Sequence, residues 1–402
     1  MFDLYDFIRQ YVTKRDSSLF QKDIDACENE LSKKISGKTV CVIGGAGSIG
    51  SSFVKAILQY KPSSLVVVDT NENALAELTR DLRSTNDMFV PDDYVTYPMD
   101  FASPVFKKMF LKRKGFDIVG NFSAHKHVRS EKDIFSIEAL LQNNVLHAKK
   151  LLDLLSKYPP KEYFCVSTDK AANPVNIMGA SKRLMEDLIF SYSDVFPVKT
   201  ARFANVAFSN GSLPAGFLAR LSKLQPISAP NDVKRYFVSP EESGQICMLA
   251  CMLGANREIF FPKLEEAQMM SFDIIARELI KEHGYDVLEC SSDQEAIAKS
   301  CELKKGSKLY PVHFSKSDTS GEKPYEEFFV DSESVDMGRF NSLGVVIKKE
   351  IPNKKRLQGL LDELENAFKN KDVTKEHIVR IIKNYLPNFE HIETGKSLDS
   401  KM

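Results

Sequence analysis

Val40-Cys41-Val42-Ile43 runs straight into Gly44-Gly45-Ala46-Gly47-Ser48-Ile49-Gly50, and an amphipathic stretch from Ser51 to Tyr60 follows. The first run reads as a strand buried on both faces and the stretch after the glycines as a helix. The glycines fit Gly-x-Gly-x-x-Gly from Gly45 and Gly-x-x-Gly-x-x-Gly from Gly44. They allow a tight turn and remove the Cβ atoms that would keep a pyrophosphate from the free N–H groups of a helix N-terminus. Gly44, Gly47, Ser48, Ile49 and Gly50 are therefore the candidate phosphate-binding turn. Asp69 stands about 20 residues further on, at the end of the next apolar run, where a dinucleotide site needs a carboxylate. It can accept both ribose hydroxyls and would repel a 2′-phosphate, which favours NAD over NADP. Lys61 and Arg80 are near enough in sequence to offset part of that bias.

Working outward, Ser64 to Val68, Phe116 to Val119 and Tyr163 to Val166 repeat the short apolar pattern, with amphipathic stretches such as Ile137 to Tyr158 between them. Alternation of this kind predicts an α/β fold, a Rossmann-type doubly wound parallel sheet. It breaks up after about residue 204. The expected organisation is a helical extension (1–36), an NAD-binding domain (37–204), a smaller substrate-binding lobe with interleaved Rossmann elements (205–352) and a helical tail (353–402). Glu282 to Glu327, rich in Ser, Lys, Asp and Glu, reads as irregular lobe or solvated insertion. In the tail, leucines recur at helical spacing from Asn353 to Asn370, and Thr374 is placed to cap a run from Ile378 to Leu386.

With 55 basic and 55 acidic residues, the chain has no net charge to draw it to nucleic acid or an anionic membrane. No apolar run approaches the ~18 residues of a membrane span, and the N-terminus is too charged for a signal peptide. Seven cysteines, an odd number placed mostly in core-like runs, read as reduced, which fits the cytoplasm. His125 and His127 lie close together, but nothing completes a zinc ligand set, so no metal is expected.

Ser167-Thr168-Asp169-Lys170 ends the run from Tyr163, and Met178-Gly179-Ala180-Ser181-Lys182 lies just beyond it. Together with the glycine turn, Lys126-His127-Val128, Arg202-Phe203-Ala204-Asn205-Val206, Arg235-Tyr236-Phe237, Gly321-Glu322-Lys323 and Tyr325-Glu326-Glu327, these segments resemble the extended short-chain dehydrogenase/reductase superfamily. Within it the chain resembles the polysaccharide-biosynthesis group of UDP-N-acetylglucosamine 4,6-dehydratases, over roughly residues 37 to 390. The common enzymes of the superfamily carry Tyr four residues before the Lys. Here that position is Met178, and a thioether cannot take a proton. In this group the position is Tyr or Met, and the Met form resembles the branch that retains configuration at C5. The resemblance also implies a homo-oligomer.

A 4,6-dehydration has clear chemical demands. The C6 hydroxyl leaves poorly and C5–H is barely acidic until C4 becomes a ketone. Oxidation at C4 and return of the hydride to C6 leave the cofactor unchanged, while a base works at C5 and an acid at the leaving oxygen. Asp169 fits the acid and Lys170 the base. Lys182 is expected on the nicotinamide ribose and Thr168 on the 4-hydroxyl, whose proton could pass through Thr168 to Lys170 or through water. UDP-N-acetylglucosamine or a related nucleotide sugar is the expected partner. Asn205 and Arg235 are candidate diphosphate contacts, or structural polar residues. Lys126 and His127 are candidate substrate contacts at the sheet edge, and His127 is equally an ordinary loop histidine. Asp100 is a candidate adenine contact or a plain loop carboxylate. A nucleotide-sugar epimerase on the same fold is the nearest rival reading.

Overall fold

The computed structural model describes residues 2–127, 131–304, 306–317, 326–348 and 350–392. Its strands are β1 Thr39–Ile43, β2 Ser64–Asp69, β3 Asp93–Pro98, β4 Ile118–Asn121, β5 Glu162–Val166, β6 Val198–Ala201, β7 Asn205–Val206 and β8 Ile227–Pro230. These are followed by β9 Lys234–Arg235, β10 Phe237–Val238, β11 Glu258–Pro262, β12 Met270–Ser271, β13 Asp286–Cys290, β14 Leu309–Ser315, β15 Ser334–Asp336 and β16 Leu343–Ile347.

Nine of them form one sheet in the order β15-β16-β11-β6-β5-β4-β1-β2-β3. It is parallel from β3 to β11, whereas β16 runs antiparallel to both β11 and β15. Strand alternation divides the core. Cys41, Ile43, Val66 and Val68 face one apolar layer, and Val40, Val42, Leu65 and Val67 face the other. With both faces covered, these strands have no polar side, which is why they read as continuous apolar runs. The chain steps from β1 out to β3, then returns to β4 on the far side of β1. That reversal opens a crevice at the carboxyl ends of β1 and β4, where such sheets bind ligands.

The sheet takes strands from well beyond residue 204. β11, β15 and β16 extend it, and the helix Pro240–Leu253 packs on its face through Ile246, Met248, Leu249 and Met252. A capping box between Ser239 and Glu242 starts that helix. Its Gly244 lies so near the helix Ser48–Leu58 that a Cβ there would sit 2.3 Å from the Ser52 carbonyl carbon. The expectation of an irregular segment from 282 to 327 is corrected. β13 and β14, with the helix Asp293–Ser300 between them, pair in parallel with β8 to form a three-stranded sheet. Polar residues hid the pattern because β13 is mostly half-exposed and supplies few apolar positions.

At the N-terminus a short helix, Leu4–Phe7, continues in wider π-helical turns to Thr13 and places Phe7, Ile8 and Val12 in the lobe's core. Arg15 then pairs with Glu242 at 2.6 Å. The helix Gln21–Ile35 sends Asp23 to accept from the backbone N–H groups of Asn341 and Ser342. The tail forms helices Lys354–Lys369 and Lys375–Tyr385, the second capped by Thr374 as expected. Their Leu360, Leu364, Ile378 and Ile382 enter the layer that also holds Met178. Among the described residues no helix is long and apolar enough to cross a membrane.

Candidate active site

The glycine turn lies at the crevice. Gly44 has φ +70°, and a Cβ on it would come 2.5 Å from Ser123 N, on the loop leaving β4. At Gly50 a Cβ would meet the Gly44 carbonyl oxygen at 2.3 Å, whereas at Gly47 nothing is closer than 3.4 Å. Gly47 is the N-cap of the eleven-residue helix Ser48–Leu58, and Ser48 Oγ accepts from Asn210 N at 2.9 Å. Asp69 ends β2 with Oδ2 accepting from Ala46 N (3.1 Å) and Oδ1 from Asn71 N (3.0 Å). Each oxygen keeps a lone pair for a ribose hydroxyl. A helix N-terminus cleared of side chains beside a fixed carboxylate fits the diphosphate and ribose of a dinucleotide. Asp100 lies farther out, exposed beyond β3, with Oδ1 accepting from Ala102 N and Oδ2 at 3.9 Å from His147.

β5 delivers the reactive segment. Ser167 turns inward and donates to Glu186 at 2.7 Å, while Thr168 Oγ1 donates to Asp169 Oδ1 at 2.7 Å. Lys170 Nζ lies 3.2 Å from both Asp169 oxygens. The carboxylate is buried and the ammonium about a third exposed. The threonine hydroxyl is thus bonded to the acid and not to Lys170, so the expected direct passage from Thr168 to Lys170 is replaced by one that meets Asp169 first.

Asn176 caps the helix Ile177–Phe190 by accepting from Gly179 N at 2.7 Å. A Cβ at Gly179 would lie 2.7 Å from the Lys170 carbonyl oxygen, so a glycine lets this helix close on the reactive turn. One helical turn separates Met178 and Lys182. Met178 is 3% exposed and packs in the core. Lys182 is 4% exposed, with Nζ donating to the Val166 carbonyl at 3.1 Å. Burial lowers its ammonium pKa, against the opposing pull of Cys165 and Glu186.

Two groups that organise this region carry no clear motif. Asn144 lies where the helix from Ile134 widens into π-helical turns, Gln142–His147. Its Oδ1 accepts from His125 N, and its Nδ2 donates to both the His125 carbonyl and Ser181 Oγ. The available signal was the polar run Gln142-Asn143-Asn144, which interrupts an otherwise apolar helix face. Glu326, noticed only within a longer resemblance, is buried against the site. Its Oε1 accepts from Asn205 Nδ2 and its Oε2 from Tyr236 N, both at 2.7 Å.

The remaining candidates spread around the mouth. His125, Lys126 and His127 are exposed on the loop after β4. Enough protein surrounds Lys126 to lower its ammonium pKa by partial desolvation, although its tip reaches solvent. His127 lies under Gly211, where a Cβ would come 2.9 Å from Nε2. Asn205 faces Glu326, and Arg235 is buried with Nη1 on the Lys234 carbonyl, so the printed bonds of both candidates are to protein. Val128, Gly321, Glu322, Lys323 and Tyr325 lie outside the described residues.

The chain is 28% identical to an uncharacterized membrane protein of Methanocaldococcus jannaschii, over 88% of this chain and 98% of that one. It is 23% identical to an inverting UDP-N-acetylglucosamine 4,6-dehydratase of Campylobacter jejuni, over 74% and 84% of the two. The UDP-glucuronic acid 4-epimerase of Bacillus cereus, solved with UDP-glucuronic acid and NAD, shares the fold. Its TM-score is 0.54 at 16% identity, covering 72% of this chain and 89% of that one. Residues 40–336 match the polysaccharide biosynthesis protein family, and since that span exceeds half of the sequence, the chain belongs to this family.

Proposed function

We propose that this protein is an NAD-dependent 4,6-dehydratase of UDP-N-acetylglucosamine, giving a 4-keto-6-deoxy sugar with retained configuration at C5 for surface polysaccharide or glycan synthesis. The observation that carries it is the Thr168–Asp169–Lys170 chain at the end of β5, beside a buried Lys182, with no phenol at position 178. The likeness to a named dehydratase of this specificity supports the substrate, and a fold neighbour holding NAD supports the cofactor.

A nicotinamide bound at the glycine turn supplies reversible hydride transfer at C4 and C6. The protein's own groups then have to manage protons. Formation of the C4 ketone releases one proton from O4, and departure of water from C6 consumes one. Thr168 bonded to Asp169 gives the first proton a path to the carboxylate, from which it can be delivered to O6, so the account closes within one pair of residues. Lys170, as the neutral amine, takes the C5 proton and returns it from the same face, which preserves configuration. Lys182 orients the ribose and adds positive charge near O4.

An epimerase also needs a 4-ketone, but it has no use for an acid and base beyond that redox step. Purified protein is incubated with UDP-N-acetylglucosamine and followed by proton NMR. A new 6-methyl doublet with loss of water is the expected result, without added cofactor. A C4 epimer that keeps its C6 oxygen would replace this reading with the epimerase, and accumulation of stoichiometric NADH would replace it with a simple dehydrogenase.

A further inference from the structure

Glu326 is nine-tenths buried and fixed at both oxygens, by a side-chain amide on β7 and by the backbone N–H of Tyr236. Among the described residues no cation lies within ion-pair distance of it. It borders a cavity of about 450 Å³ whose other charged groups are Asp232, Lys234 and Glu266. On its other side it feels the charges of Asp169 and Lys170 from the turn after β5, and that of Arg235 from β9. A buried carboxylate beside another, with only partial compensation from cations, is costly to ionise.

We propose that Glu326 is a positioning residue of the catalytic site, a carboxylic acid held neutral beside the Asp169–Lys170 pair so that the site carries one ionised carboxylate and not two. This rests on the dehydration reading above. Lys170 has to become a neutral amine before it can take the C5 proton. A second carboxylate would hold it as ammonium. Loss of the C5 proton also builds negative charge on O4, which a neutral neighbour tolerates and an ionised one opposes. The surroundings act in the required direction. Burial first, and the Asp169 charge second, push the Glu326 pKa up to about 8, against the pull of Lys170, the Tyr236 N–H and Arg235.

Glu326→Gln preserves the neutral form. Its carbonyl can face Tyr236 N while the Asn205 amide turns over to accept from the new NH₂. The readout is the shape of the pH–rate profile of the full-length protein, namely the ratio of turnover at about pH 9 to that at about pH 7, whatever the absolute rate. Wild type is expected to lose turnover as pH rises through about 8. Glu326→Gln should lack that loss, and Glu326→Asp, which restores a titrating carboxyl, should show it again. A Gln variant with the same high-pH decline as wild type overturns the proposal. A second measurement does not depend on activity: infrared titration of wild type should show a protonated carboxyl band near neutral pH that is lost by about pH 9. Absence of that band overturns the proposal even where the Gln variant is too slow to profile. Should wild type form no dehydrated sugar, the dehydratase reading falls while the infrared titration still decides the protonation of Glu326.

Discussion

The hydroxyl of Thr168 and the ammonium of Lys170 converge on the same oxygen, Oδ1 of Asp169, at 2.7 and 3.2 Å. Protonation of that carboxylate therefore weakens its hold on the Lys170 charge at the moment when Lys170 is needed as a base. Proton arrival at the acid and activation of the base become one event.

Asp169→Asn keeps the shape and the bond from Thr168 but has no proton to give. It should cost about 10²- to 10⁴-fold in dehydration, the usual range for a general acid. Met178→Leu, a swap of similar volume in a packed core, should cost under about 1.5 kcal/mol of stability and little rate. Product formation is compared with bound NAD content checked in each variant. Equal losses would give the thioether a chemical role.

The two lysines should separate. Lys170→Ala should abolish dehydration with the cofactor still bound, because its work is at C5. Lys182→Ala should reduce both bound cofactor and turnover, since that side chain is buried against the end of β5. Cofactor released by denaturing each purified variant, set beside its turnover, checks this.

Within the turn, the glycines differ in what they require. Gly44→Ala places a side chain at φ +70° and against the backbone of Ser123, and Gly50→Ala drives one into the Gly44 carbonyl. Both should lose bound NAD and melt earlier. Gly47→Ala meets only an ordinary contact at 3.4 Å and should be milder in stability, so a thermal shift series with a cofactor assay distinguishes the three.

Much of this was legible beforehand because it depends on local chemistry. The glycine turn, Asp69 and the Thr-Asp-Lys segment each carry their function in a few adjacent residues, so spacing alone exposes them. Asn144 and Glu326 do not. Their roles come from residues 19 to 121 positions away, through bonds to His125, Ser181 and Asn205, which no short pattern records. β13 was missed for a different reason: it is an exposed edge strand, with few apolar residues to announce it.

A buried network should set acid stability. Arg202 is bonded to Glu186 and Glu333 at 2.7 Å each, with all three side chains in the interior. Burial opposes ionisation of Glu333, but Arg202 overcomes it and depresses that carboxyl to about 2. A depressed carboxylate contributes stability above its unfolded pKa and loses it as pH falls through the folded value. The contribution should therefore be complete at neutral pH and decline from about pH 4.5 towards 2. Arg202→Ala strands two buried carboxylates and should cost about 3–5 kcal/mol at neutral pH. Denaturant titrations of both proteins at neutral and acid pH should show the gap narrowing in acid.

The near-contact of Gly244 with Ser52 bears on how the protein is made. The helix holding Gly244 covers the first βα unit, and β11 and β16 close the sheet beside β6. A ribosome that has released only residues up to about 204 has exported the glycine turn and the reactive lysines, but not their cover. Nascent chains stalled there should be open to protease, and protection should arrive only after residue 262 has cleared the exit tunnel. Cofactor binding would then come late in synthesis, although the residues that bind it are among the first translated.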